Sequence, residues 1–176
     1  MSMGTAEARY RSLEQGRQSY LDRARDCSRL TIPSLIPDEG HNGTSKLYTP
    51  FQGIGARGVN NLSSKLSLAL MPPNSPFFRL MVEPYALKSM AEDPAARTNI
   101  EKEMGEYERA VMSEIESSGD RVGVHEALKH LIVGGNVLLH IGTNKTRVVH
   151  LDSYVVNRSP SGEVLEIVTI EHVAPN

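Results

Sequence analysis

Three short runs in this chain hold residue types that could do chemistry. Gly53-Ile54-Gly55-Ala56-Arg57-Gly58 spells G-x-G-x-x-G, which at a strand-to-helix turn lets backbone amides approach a dinucleotide pyrophosphate. His125-Glu126-Ala127-Leu128-Lys129-His130 has the outline of a zinc-hydrolase helix, and His150 with Asp152 would share one strand face as a proton-transfer pair. Each fails on spacing or context. Thr49-Pro50 is a cap followed by proline, which places the glycines inside a helix; no convincing strand precedes them, and Pro73 stands where a ribose-binding acid belongs. His125 and His130 are five positions apart, about 140° around a helix, whereas two ligands of one ion need a spacing of four, so surface or interface histidines are expected. No activated serine or cysteine setting accompanies His150 and Asp152. The single cysteine, Cys27, excludes an internal disulfide and a thiolate cage, favours a reducing compartment, and reads as a small buried apolar residue on a helix. No catalytic, cofactor-binding or metal-ligating residue is assigned.

The stronger signal is electrostatic. Between Glu39 and Glu83 there is no acid at all, so Lys46, Arg57, Lys65 and Arg79 stand unopposed. From Glu83 to Asp120, ten acids face four bases, a net charge of −6. Blocks segregated in this way suit surfaces that meet each other or a partner. If identical subunits stood side by side, Arg57 and Lys65 of one would face Glu106 and Glu108 of the next. Gly55 and Gly58 fall on the same arc as Phe51, Ile54, Val59, Leu62, Leu66, Ala69 and Leu70 when the segment is wound at 100° per residue. Glycine costs a helix interior about 1 kcal/mol relative to alanine, so its presence on that arc predicts close packing by another backbone.

The elements that would position these residues follow from periodicity and breakers. Tyr10, Leu13, Tyr20, Ala24, Cys27 and Thr31 predict one amphipathic helix from Ala6 to about Thr31, ended by Pro33 and Pro37 and followed by a mobile loop over 38–46. The cap at Thr49 and the stop at Met71-Pro72-Pro73 predict a helix over 50–70. Phe77 to Val82 suits a strand, Pro84 to Met90 a brief helix. Asp93-Pro94 opens a helix carrying Ile100, Met104, Tyr107, Val111 and Ile115, which closes at Ser117-Ser118-Gly119. Val124, Leu128, Leu131 and Ile132 mark another, stopped by Gly134-Gly135. The period then changes to that of strands, over 136–141, 146–151, 154–157 and 163–173, with turn residues between them.

Helices first and an antiparallel sheet last make this an α+β chain. Three parts are expected: an N-terminal helix and loop over 1–46, a helical part with one short strand over 47–135, and antiparallel strands over 136–176. The last strand runs almost to Asn176 with nothing after it to cover its edge, which predicts a missing C-terminal remainder or a neighbouring subunit as the cover.

With 176 residues, 39% of them apolar, the chain can bury a core. A net charge of −2 argues against a general nucleic-acid coat, because phosphate binding draws on clustered Lys and Arg. The N-terminal residues lack an apolar core of signal-peptide type and no window approaches the ~18 apolar residues of a membrane span, which predicts a soluble chain not secreted by the usual route.

Four blocks go beyond generic helix and strand wording: CSRLTIPSLIP, YTPFQGIGARGVNNLSSKLSLALMPP, EALKHLIVGGNVLLH and LDSYVVNRSPSGEVLEIVTIEHVAP. In this order they resemble the N-terminal part of the head-to-tail connector, or portal, proteins of short-tailed bacteriophages, from about Arg9 onward. GARGVNNLSSKL and VGGNVLL are the most specific of these runs. The resemblance implies a non-enzymatic, typically dodecameric ring at one capsid vertex of the virion, assembled in the host cytoplasm. Its partners would be further copies of itself, the major capsid protein, scaffold, terminase and tail adaptor, with double-stranded DNA passing through unread and no membrane involved. These residues would lie in the wing region. Portal proteins are much longer, and their stem, clip and C-terminal parts have no counterpart here. No catalytic role is carried over to any residue.

Two other readings follow from the residues alone. One is a nucleotide-binding or hydrolytic enzyme domain using the glycine cluster or His150 and Asp152. The other is a monomeric adaptor that binds one partner through its acidic helix.

Overall fold

Gly16 divides the N-terminal amphipathic segment into two helices, α1 (Ala6–Gln15) and α2 (Gln18–Leu30), where the periodicity alone predicts one. Glycine weakens the helix at this point, and the break lets Arg17 turn inward and donate to the Leu151 carbonyl at 3.0 Å. The computed structural model describes residues 5–42, 44–73, 75–83, 94–142 and 146–171. In α1 the Thr5 hydroxyl caps the first turn, and Tyr10 is buried with its hydroxyl donating to the Asp152 carbonyl at 2.6 Å. In α2 the buried line is Leu21, Ala24 and Ser28. That phase leaves Cys27 about 100° off the core side, exposed rather than buried as expected.

The fully buried Ser28 hydroxyl donates to the Ile32 carbonyl and accepts from the Ile36 amide, which folds the proline-containing turn so that Leu35 and Ile36 enter the core. Residues 38–42 and 44–46 form neither helix nor strand. Arg29 holds Asp38 at 3.2 Å, and Asn42 accepts from the Thr44 amide and the Ser45 hydroxyl.

Helix α3 (Ile54–Leu70) begins four residues later than the Thr49-Pro50 signal implies, with Gly53 at its N-cap and no side chain closing it. Leu47, Tyr48, Phe51 and Ile54 are all exposed, so no burial offsets the entropy of winding the preceding residues into the helix. Its end at Leu70 is where Met71-Pro72 requires it. Arg121 donates to the carbonyls of Met71 at 2.7 Å and Pro72 at 3.2 Å, satisfying oxygens that helix ends leave unpaired.

Residues 77–82 have the composition of a strand but pair with none among the described residues; the segment instead runs along α4 (Pro94–Ser117), where the Leu80 amide donates to Glu108. The helix expected over 84–90 lies outside the described residues. Helix α4 buries none of its side chains. Helix α5 (Asp120–Gly134) lies between left-handed glycines, Gly119 at φ 77° and Gly135 at φ 73°, a conformation glycine adopts at little cost.

The expected single sheet is two separate antiparallel hairpins. Strands β1 (Leu138–Ile141) and β2 (Thr146–Val149) pair with Leu138 opposite Val149, and β3 (Tyr154–Arg158) and β4 (Val164–Thr169) pair with Tyr154 opposite Thr169. A single turn of 3₁₀ helix, Leu151–Ser153, redirects the chain between the hairpins and keeps their ladders apart. The core gathers Leu21, Ala24, Leu35, Ile36, Val59, Val133, Leu151 and Tyr154 from α2, the turn after it, α3, α5, the 3₁₀ turn and the start of β3. The architecture is α+β.

Candidate functional site

The glycine cluster opens α3 and does not follow a strand; residues 46–50 are irregular. A Cβ at Gly55 would collide with the Leu30 carbonyl and crowd Thr31 at 3.2 Å. This glycine therefore lets the start of α3 approach the end of α2. At Gly58 nothing among the described residues lies within 4 Å of a Cβ position, so within the chain the close approach belongs to Gly55 alone. Gly58 instead faces outward, on the side of α3 away from Val59 and Ser63, its two buried residues.

The histidine motifs separate. His130 is 3% exposed, contrary to the surface position expected, while Ala127, Leu128 and Val133 share its buried side of α5. Its ring meets that of His150 edge to face, with centroids 5.2 Å apart, and its Nε2 is buried with no hydrogen-bond partner. Burial holds its pKa below the ordinary histidine value, the neighbouring His150 adds to that, and Glu126 opposes it. His150 and Asp152 do not form a dyad. His150 precedes the 3₁₀ turn and Asp152 lies within it, its carboxylate 3.2 Å from Arg25. Among the described residues no three acids, histidines or cysteines group as metal ligands.

Arg17 links α1 and α2 to this region, with its guanidinium 6.0 Å from the centre of the Tyr154 ring. Burial pushes the Tyr154 hydroxyl up to about 12, Tyr20 adds to the shift, and Arg17 and Arg158 oppose it. The Tyr20 hydroxyl reaches across to the Gly134 carbonyl at 2.5 Å. These contacts join the N-terminal helices to α5 and β3.

The charge blocks behave differently from one another. Arg57 and Lys65 are exposed on α3 and form no ion pair among the described residues, and the same holds for Glu106 on α4. Glu108 is engaged inside the chain, accepting from the Leu80 amide at 2.6 Å. The apolar stripe of α4 is only partly covered: Tyr107 is 65% and Val111 41% exposed. No helix among the described residues is long and apolar enough to cross a membrane.

The family model of bacteriophage head to tail connecting proteins matches residues 3–174. The chain belongs to that family. It is 41% identical over 174 residues to the portal protein of Enterobacteria phage T3 and 40% identical over 175 to that of Escherichia phage T7. Each alignment covers 96% of this chain and 32% of the relative. The portal protein of Enterobacteria phage SP6 is 32% identical over 159 residues, which cover 90% of this chain and 30% of that protein. The chain thus spans about a third of the length of the portal proteins it matches.

The structural features of this family member are unevenly visible in its sequence. Arg121 and the His130–His150 contact join positions far apart along the chain, and no local spacing announces either. Glu114 belongs to the same acidic helix as Glu106, and a helical wheel of α4 places it on that side.

Proposed function

We propose that this chain is a structural, non-enzymatic part of a portal ring seated at one vertex of the virion, through which DNA is packaged and ejected and to which the tail attaches. The observation that carries this reading is the family match over residues 3–174 together with about 40% identity to two portal proteins. Function then resides in symmetry: copies tile side by side around a passage, in the way heterologous contacts close into rings. The copies occupy the wing, and the ring is a dodecamer that meets the major capsid protein, scaffold, terminase and tail adaptor after assembly in the host cytoplasm. A net charge of −2 supports a conduit that does not hold DNA, because a basic lining would bind phosphate at every step.

Electron microscopy of the particle that contains this chain tests the proposal. Copies surrounding an axial hole at a single capsid vertex are expected. Copies spread over the shell, or a freely diffusing monomer bound to one partner, would overturn it.

A further inference from the structure

The outward side of α3 carries two neighbouring ridges at four-residue spacing. Arg57, Asn61 and Lys65 form a charged one, and Ile54, Gly58 and Leu62 an apolar one with a gap at the glycine. All six are exposed, Ile54 at 68%. Helix α4 presents the same arrangement with opposite charge: Glu106, Ala110 and Glu114 form one ridge and Tyr107 with Val111 the next, again all exposed. On both helices the charged positions are eight residues apart, about 12 Å along the axis and about 80° around it. The side chains of these four charged residues form no ion pair among the described residues.

We infer that the outer side of α3 in one copy receives α4 of a second copy. The argument rests on the ring reading and adds the surfaces that meet. Ridges at four-residue spacing interdigitate when two helices cross at about 50°. With the helices running in opposite directions, the charged ridges lie together and so do the apolar ones. Arg57 then meets Glu114, Lys65 meets Glu106, and Tyr107 fills the hollow that Gly58 leaves. A second copy is the occupant because both halves of the complement are on this chain, on different surfaces. Such a contact is heterologous and leaves each copy with one free half on either side, as a ring requires. Glu108 takes no part, since its carboxylate is held by Leu80.

Two charge-reversed chains test the pairing, R57E/K65E and E106K/E114K, with sedimentation velocity and native mass spectrometry to read self-association. Thermal melts by circular dichroism check that each still folds. Each variant alone should associate at least about tenfold more weakly than the parent, because like charges then face each other at every contact. Mixed in equal amounts they should assemble again, since R57E/K65E offers an acidic α3 to the basic α4 of E106K/E114K, and the converse contact is restored as well. Glu108→Gln should associate as the parent does. Unaltered association of both variants, or no recovery on mixing, overturns the pairing. If particles still show rings in that case, only the assignment of surfaces falls. A parent chain that stays monomeric at every concentration tested overturns the self-contact for this segment.

Discussion

The ring of His130 stands edge-on to that of His150 at an interplanar angle of 83°, and its Nε2 is enclosed without a hydrogen-bond partner. A charge on that imidazole is opposed by burial first and by His150 second, with Glu126 alone in its favour. The folded chain therefore binds this proton less readily than the unfolded chain. Stability from the neutral ring is fully present above the ordinary value of 6.5 and is lost as the pH falls below it toward the depressed folded value. The melting temperature should fall between about pH 7 and pH 5, and His130→Leu should flatten that dependence. An unchanged slope in the variant would place the titrating group elsewhere.

Gly55 and Gly58 should respond in opposite senses. A side chain at Gly55 collides with the Leu30 carbonyl, so Gly55→Val should cost about 1–3 kcal/mol in urea denaturation. At Gly58 there is open space, so Gly58→Ala should gain up to about 1 kcal/mol from helix propensity.

Ser28 is fully buried and bonded on both sides, donating to Ile32 and accepting from Ile36. Ser28→Ala leaves the buried Ile36 amide without its partner, while the Ile32 carbonyl keeps the Leu35 amide at 3.0 Å, and should cost about 1–3 kcal/mol. The loss should read out as a lower denaturation midpoint with an unchanged slope.

Arg121 fastens the end of α3 through the Met71 and Pro72 carbonyls. Arg121→Ala should lower stability by about 1–2 kcal/mol and speed amide hydrogen exchange in the last turn of α3 more than in its middle. Equal effects along the helix would mean that the clamp acts on the whole element.

Helix ends governed by local chemistry were readable from sequence. Leu70 precedes Met71-Pro72, and the left-handed Gly135 ends α5 because few other residues adopt that conformation cheaply. The start of α3 was misplaced, since Thr49-Pro50 is a sound local signal while the exposed residues after it have nothing to pack against. The phase of α2 was missed by one position, because Leu21 and Ser28 are selected by what lies opposite them. The fate of residues 77–82 depended likewise on a distant partner: they have strand composition but find a helix beside them. His130 could not be identified as buried, because its neighbour His150 arrives from the other side of a hairpin. For the candidate contact surfaces, charge segregation singles out α3 and α4, and only the structure shows that Glu108 is engaged by Leu80 and Glu116 by Arg121, whereas Glu106 and Glu114 form no ion pair among the described residues.

Helix α4 extends for 24 residues and encloses none of its side chains. Residues along most of its length can therefore be exchanged with little penalty to the fold, so selection is free to rewrite that helix to match whatever it touches. Between related phages, change should accumulate there in step with change in the facing surface, while Leu21, Ser28 and Tyr154 remain fixed by the interior they occupy.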